Sequence, residues 1–255
     1  MKIRLDWRRS AQENAAKLFE LSKELAKKGK GAANALKETQ AELEKQEKHI
    51  ARQNEIDTGP VMKRKRQWFE KYRWFYTSGK RLVVAGRDAK QNDLLVARVM
   101  DEQDLFFHAD IQGAPATILK DGKKANEKEK KEAAGFAASH SSAWKTGAAA
   151  VDVYCVSKDQ LSKHAQGGYI GAGGFAIKGK REWFKSTRLG LALGKVDEIV
   201  VCLPVSHSKA KEMQLVLPGN MEKGKAAKEI AKLLGAQVDE VLLALPAGKF
   251  SLKGK

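Results

Sequence analysis

His108 and Asp110 stand two residues apart in Phe107-His108-Ala109-Asp110. Alternate side chains of a strand share a face, so Asp110 can fix the imidazole tautomer as the acid of a relay does. A relay also needs a nucleophile, and no Ser or Cys here carries an elbow-type motif. The pair therefore reads as a structural hydrogen bond, as an RNA contact, or as acid and base in an RNA-directed enzyme. A second group is Lys63, Arg64, Lys65 and Arg66, followed by Trp68, Phe69, Tyr72, Trp74, Phe75 and Tyr76. Cations neutralise phosphates, and flat rings stack on unpaired bases. Rings at this spacing also build core, so Trp68, Phe69 and Trp74 are expected to be mostly buried.

Gly86-Arg87-Asp88, with Gln91 and Asn92 downstream, has the form of a strand-to-helix junction. Free amides there favour an anion. Arg87 would hold a phosphate bidentately and Asn92 a base edge or ribose, while Asp88 caps the helix. The competing reading pairs Arg87 with a carboxylate. Gly167-Gly168-Tyr169-Ile170-Gly171-Ala172-Gly173-Gly174 looks like a dinucleotide fingerprint, but a strand and a basic turn follow it where a helix is required. The glycines instead allow a polymer backbone to approach, with charge from Lys178, Lys180 and Arg181 and from Lys163 upstream. A structural bulge with solvated lysines is the alternative. His49, His108, His140, His164 and His207 show no metal-site spacing with Cys, Asp or Glu, so neither metal nor cofactor is expected. His140 reads as a satisfied core histidine.

These groups must be positioned by a chain of 255 residues, long for one domain and short for three. Its 48 Lys and Arg against 31 Asp and Glu leave +17, which calls for a polyanionic partner. Residues up to Arg66 hold 17 basic and 10 acidic side chains, so the excess extends over the rest of the chain as well. No apolar run reaches a membrane span and no apolar signal core opens the chain, so a cytoplasmic protein without a membrane partner is expected. Cys155 and Cys202 lie in apolar runs and read as buried thiols.

Ser10-Ala11-Gln12-Glu13 is a capping box that starts a helix. Its stripe is Leu18, Leu21, Leu25, and a second stripe, Leu36, Leu43, Ile50, keeps a seven-residue spacing. The stripes are out of phase across Lys28-Gly29-Lys30-Gly31, which predicts an antiparallel helical hairpin, a coiled-coil arm, ending at Asp57-Thr58-Gly59-Pro60. The thin stripe predicts a protein partner for that hairpin. Beyond it the pattern gives strands at 73–77, 82–85, 105–109, 116–120, 149–156, 175–178, 189–193, 199–204 and 214–217. It gives helices after Asp88, over 126–144 and over 223–234, and a last apolar run over 238–245. Strands and helices do not alternate regularly, so the class is α+β. The boundaries are 1–60 for the arm, 61–194 for a mixed α+β domain, and 195–255 for an α/β extension packed on it.

The run Trp68 to Phe75, the block Gly86 to Asp93, the block Asp104 to Pro115, Ala143-Trp144-Lys145, Asp159 to Lys163, and Gly168 to Arg181 resemble, in order, the NFACT-R domain. That module lies toward the C-terminal side of the RqcH and NEMF ribosome-quality-control factors. The resemblance covers about residues 65 to 194; Leu5 to Leu25 is similar to the start of the family's coiled-coil arm, and Pro218-Gly219 with the Lys-rich helix resembles an archaeal extension. It implies a non-enzymatic RNA-binding module whose partners are tRNA and the large ribosomal subunit carrying an obstructed nascent chain. Full-length members begin with an NFACT-N domain and a helix-hairpin-helix module that are not matched here. The expectation is therefore a fragment or a stand-alone relative, without tail elongation by this chain alone.

Overall fold

The computed structural model describes residues 5–56, 67–165, 168–196 and 198–253. Two compact units emerge, Met1–Lys65 and Arg66–Lys255. In the first, the Ser10 hydroxyl accepts from the Glu13 amide at 3.2 Å and the Glu13 carboxylate accepts from the Ser10 amide at 2.8 Å, the reciprocal cap that its sequence predicts. The helix it starts, α1 (Ala11–Ile56), runs 46 residues without a break. The antiparallel hairpin is thus corrected to one continuous helix. A reversal needs a left-handed residue, and neither Gly29 nor Gly31 takes a positive φ. A helical glycine costs only about 1 kcal/mol relative to alanine, and the Ala, Lys, Leu and Glu neighbours favour helix. Leu21, Leu25 and Leu36 are 48%, 58% and 60% exposed, so this arm presents its apolar stripe to the outside. The stop at Asp57 to Pro60 and the cations Lys63, Arg64, Lys65 and Arg66 lie outside the described residues.

The second unit is α+β. β1 (Arg73–Tyr76) and β2 (Leu82–Ala85) form a hairpin, and α2 (Ala89–Leu94) follows, capped by Asp88, which accepts from the Gln91 amide at 2.8 Å. β3 (Leu105–Ala109), β4 (Thr117–Leu119), α3 (Glu127–Ser139) and β5 (Ala150–Ser157) come next. Four two-residue strands shape the glycine segment: β6 (Leu161–Ser162), β7 (His164–Ala165), β8 (Gly168–Tyr169) and β9 (Ala176–Ile177). β10 (Glu182–Arg188), β11 (Leu191–Val196), β12 (Ile199–Pro204), β13 (Gln214–Met221), α4 (Lys223–Leu234), α5 (Val238–Ala244) and β14 (Phe250–Lys253) complete the chain. A six-stranded sheet has the order β1-β2-β4-β3-β5-β10 and a four-stranded one β12-β11-β13-β14, while β6 pairs with β9 and β7 with β8, all antiparallel.

The alternation of β3 decides which side chains reach the site. Leu105, Phe107 and Ala109 point into one core with Phe136 and Ala137 of α3, Leu191 and Leu193 of β11, and Ile230 of α4. Phe106 points the other way, into a second cluster with Phe69, Tyr72, Ile118 and Tyr154, and His108 shares its face. α3 is shorter than predicted, because the chain leaves helical geometry at His140 and tightens into a 3₁₀ turn over Ser142–Trp144. Phe69 is buried and Trp74 half-buried, but Trp68 is 50% exposed, which corrects the burial expected of it. It sits on the outer turn of a one-turn 3₁₀ helix, edge-on to Phe69 at 5.7 Å. Cys155 and Cys202 are buried free thiols, and burial pushes both up to about 12.

Candidate nucleic-acid interface

Beside His108 lies a cleft of 610 Å³, bounded among others by Arg73, Arg87, His108, His140, Tyr154 and Phe175. Arg87 follows β2 and turns back under the chain. Its Nε donates to the Lys71 carbonyl at 3.2 Å, Nη1 to Leu243 at 2.7 Å and Nη2 to Tyr72 at 3.1 Å. Backbone carbonyls therefore replace the carboxylate that sequence offered as its structural partner. α2 spans six residues and Asp88 already takes an amide of its first turn, so the helix start adds little for an anion. Asn92 is buried, and its Oδ1 accepts from the Ala116 amide at 3.1 Å. A Cβ on Gly86 would meet that oxygen at 2.0 Å, which is why glycine stands there. Arg87 and Asn92 thus shape the cleft wall before anything else.

His108 lies parallel to Phe106, with centroids 6.1 Å apart, and tilts toward Tyr154 at 5.7 Å. Burial lowers its pKa, against hydrogen bonding to the Ala109 and Ala114 backbone and the Asp110 charge, so the ring is neutral at pH 7. Asp110 is exposed, and its amide donates to the Asp152 carbonyl at 2.8 Å. Among the described residues no hydrogen bond joins its carboxylate to His108. Lys163 pairs with Asp93, donates to the Gly174 carbonyl at 2.8 Å and lies 4.1 Å over Phe175. Its charge is therefore compensated within the fold. Gly173 has φ +79°, and a Cβ there would meet the Ala89 Cβ at 2.8 Å, so glycine lets this loop pack on α2.

Downstream, Gln160 Nε2 donates to the Lys178 and Lys180 carbonyls at 2.9 and 2.7 Å, clamping the turn at Gly179. Both lysines and Arg181 are exposed, with no carboxylate in ion-pair range among the described residues. The Arg181 guanidinium lies 4.7 Å over Tyr154 and 5.8 Å over Trp183, and Lys185 lies 4.2 Å over Trp183. Rings and cations thus run from His108 through Tyr154 to Trp183. Sequence reasoning missed Trp183 and Lys185 because it did not predict β10. The signal was the apolar Trp183 and Phe184 between charged residues, obscured by a bulge between Phe184 and Thr187.

Residues 71–179 match the family model described as the NFACT protein RNA binding domain. The chain contains an NFACT-R domain. It is 38% identical over 198 residues to the archaeal Rqc2 homolog aRqcH of Methanocaldococcus jannaschii, covering 73% of this chain and 29% of that protein. It is 32% identical over 197 residues to the human ribosome quality control complex subunit NEMF, covering 75% of this chain and 18% of that protein. The chain therefore spans less than a third of the length of these curated relatives. The solved C-terminal part of the fibronectin/fibrinogen-binding protein from Streptococcus suis aligns at TM-score 0.41 and 18% identity, over 69% of this chain and 76% of that one, a likeness too distant to bear on the fold. Among the described residues no helix is long and apolar enough to cross a membrane.

Two residues of the NFACT-R domain acquire a role that their sequence context hides. Arg73 donates through Nη1 to the Gly86 carbonyl at 2.7 Å, while its buried Nε has no partner. His140 is 6% exposed and neither ring nitrogen is paired, so it is not the satisfied core histidine expected. Burial, and then the charges of Arg73, Arg87 and Lys223, hold it well below the usual histidine range. The unfolded chain accepts a proton near pH 6.5 that the folded chain refuses, so this contribution is complete above that pH and lost as pH falls. His108 and His207 are lowered in the same direction by burial. Between pH 7.5 and 5.5 His140 alone should lower the unfolding free energy, by about 1 kcal/mol. Urea denaturation at the two pH values checks this, and a flat profile would contradict a neutral buried ring.

Proposed function

We propose that this chain is an RNA-binding module of ribosome-associated quality control, engaging tRNA and the large ribosomal subunit with an obstructed nascent chain. It works by binding and not by catalysis, in the cytoplasm. The observation that carries this reading is the strip of exposed cations at Lys178, Lys180 and Arg181, with no carboxylate in ion-pair range among the described residues, beside the exposed ring of Trp183 at the edge of a region that matches an RNA-binding domain. The names of the aRqcH and NEMF relatives supply the setting. His108 contributes a neutral ring to the same surface, and Asp110 stands at its rim. Lys63 to Arg66 add backbone contacts, while Arg87, Asn92 and Lys163 act mainly by holding the cleft. Residues 1–60 serve as an arm whose exposed leucines meet a protein partner, 61–194 as the RNA-binding domain, and 195–255 as an extension packed on it.

Co-sedimentation with isolated large subunits tests this setting. The chain should travel with subunits that carry an obstructed peptidyl-tRNA and be released by raised salt. Equal recovery with and without the peptidyl-tRNA would overturn the tRNA part of the proposal, and no recovery with either would overturn the whole.

A further inference from the structure

Arg73, Arg87 and Lys223 form a group of half-buried cations that backbone carbonyls hold in place of carboxylates. Lys223 Nζ donates to the Leu245 carbonyl at 3.1 Å, Arg73 to Gly86, and Arg87 to three carbonyls. Burial depresses all three, and Arg73 and Lys223 are lowered further by neighbouring guanidinium charge. Asp88 is the carboxylate that acts on Arg73, and it is committed to the Gln91 amide. Interior cations are ordinarily matched by an anion, and leaving them unmatched is strongly unfavourable. A second observation is independent of charge. Both nitrogens of His140 and the Nε of Arg73 are buried without partners, although such groups are almost always hydrogen-bonded. Both residues line the cleft.

The Nε of the Arg73 guanidinium and the one N–H of the neutral His140 ring lack an acceptor, and a phosphate, with several negatively charged oxygens, supplies one to both. The other wall has different chemistry. His108 and Phe175 present flat rings, and Gly173 and Gly174 give a backbone edge without side chains. The volume of 610 Å³ lies within the range of about 300–1,000 Å³ typical of small-ligand clefts.

We propose that the cleft binds one nucleotide unit at the end of an RNA chain, with its phosphate at Arg73, Arg87 and His140 and its base against His108 and Phe175. This rests on the RNA-binding reading for the source of the nucleotide, while the demand for a phosphate stands on the cleft alone. Lys145, exposed on the cleft rim, draws the phosphate in.

Calorimetric titration of the whole chain with adenosine monophosphate, adenosine and inorganic phosphate tests this, with competition against a labelled structured RNA. Adenosine monophosphate should bind about tenfold tighter than either fragment, since each half supplies about 1.4 kcal/mol or more. Arg73 and His140 sit in packed surroundings, so the variants are made at the accessible rim. Lys145→Glu should weaken adenosine monophosphate about tenfold, and His108→Ala should weaken it similarly while leaving inorganic phosphate unchanged. Undetectable nucleotide binding, or binding indifferent to both substitutions, would overturn the proposal. RNA binding that adenosine monophosphate does not compete would overturn the pocket and leave the RNA reading intact. Nucleotide binding without RNA affinity would uphold the pocket and overturn that reading.

Discussion

Arg87→Ala is expected to lower the thermal midpoint by about 10 °C. The guanidinium joins three carbonyls from distant parts of the second unit, Lys71 and Tyr72 before β1 and Leu243 at the end of α5. Hydrogen bonds from a charged donor each contribute about 1.5–3 kcal/mol, but these share one side chain and two carbonyls lie where water can substitute. A combined loss of about 3 kcal/mol follows, and each kcal/mol moves the midpoint of a unit this size by about 2–4 °C. Lysine would not rescue it, because a point ammonium cannot reach three acceptors set in a fork. Thermal and urea unfolding of Arg87→Ala and Arg87→Lys check this. An unchanged midpoint would mean that water serves the carbonyls equally well.

The second large effect is on RNA affinity. Lys178, Lys180 and Arg181 are exposed and without a carboxylate partner among the described residues, so replacing all three with alanine should cost no more than about 1 kcal/mol, mainly the Arg181 contact with Tyr154 and Trp183. Each phosphate that the protein no longer neutralises takes about 0.7–0.9 from the slope of log affinity against log salt. Between 1 M and 0.15 M salt that is roughly 0.7 log units per phosphate, so three phosphates give about 100-fold weaker binding at 0.15 M. Lys163→Ala is the contrasting control. Its ammonium is already committed to Asp93 and the Gly174 carbonyl, so RNA affinity should fall only a few-fold while the glycine loop loosens. A triple variant whose salt slope is unchanged would place the RNA-binding surface elsewhere.

Local pattern made much of this fold legible. The alternation in Leu105–Ala109 assigns His108 to one face, the Ser10 and Asp88 caps form as written, and helix 223–234 has the predicted bounds. The failures share a cause, which is partners remote in sequence. Arg87 finds its acceptors 15, 16 and 156 residues away, and no local motif encodes a carbonyl. His140 looks like core because its helical neighbours are apolar, while the cations that surround it come from residues 73, 87 and 223. Gly29 and Gly31 illustrate the reverse error. Their type suggested a reversal, whereas the surrounding helix formers outweigh two glycines in a helix of 46 residues. β10 escaped because it bulges and is largely exposed on both faces, so it lacks the apolar alternation by which strands are read.

Affinity of the full chain for tRNA, a DNA duplex of similar charge and heparin, each measured by fluorescence anisotropy at four salt concentrations, bears most directly on selective RNA binding. tRNA should bind tightest at every salt, with a steep linear loss of log affinity against log salt and a residual preference over duplex DNA at the highest concentration. Equal affinities for all three polyanions, converging as salt rises, would reduce the surface to a generic positive charge and contradict it.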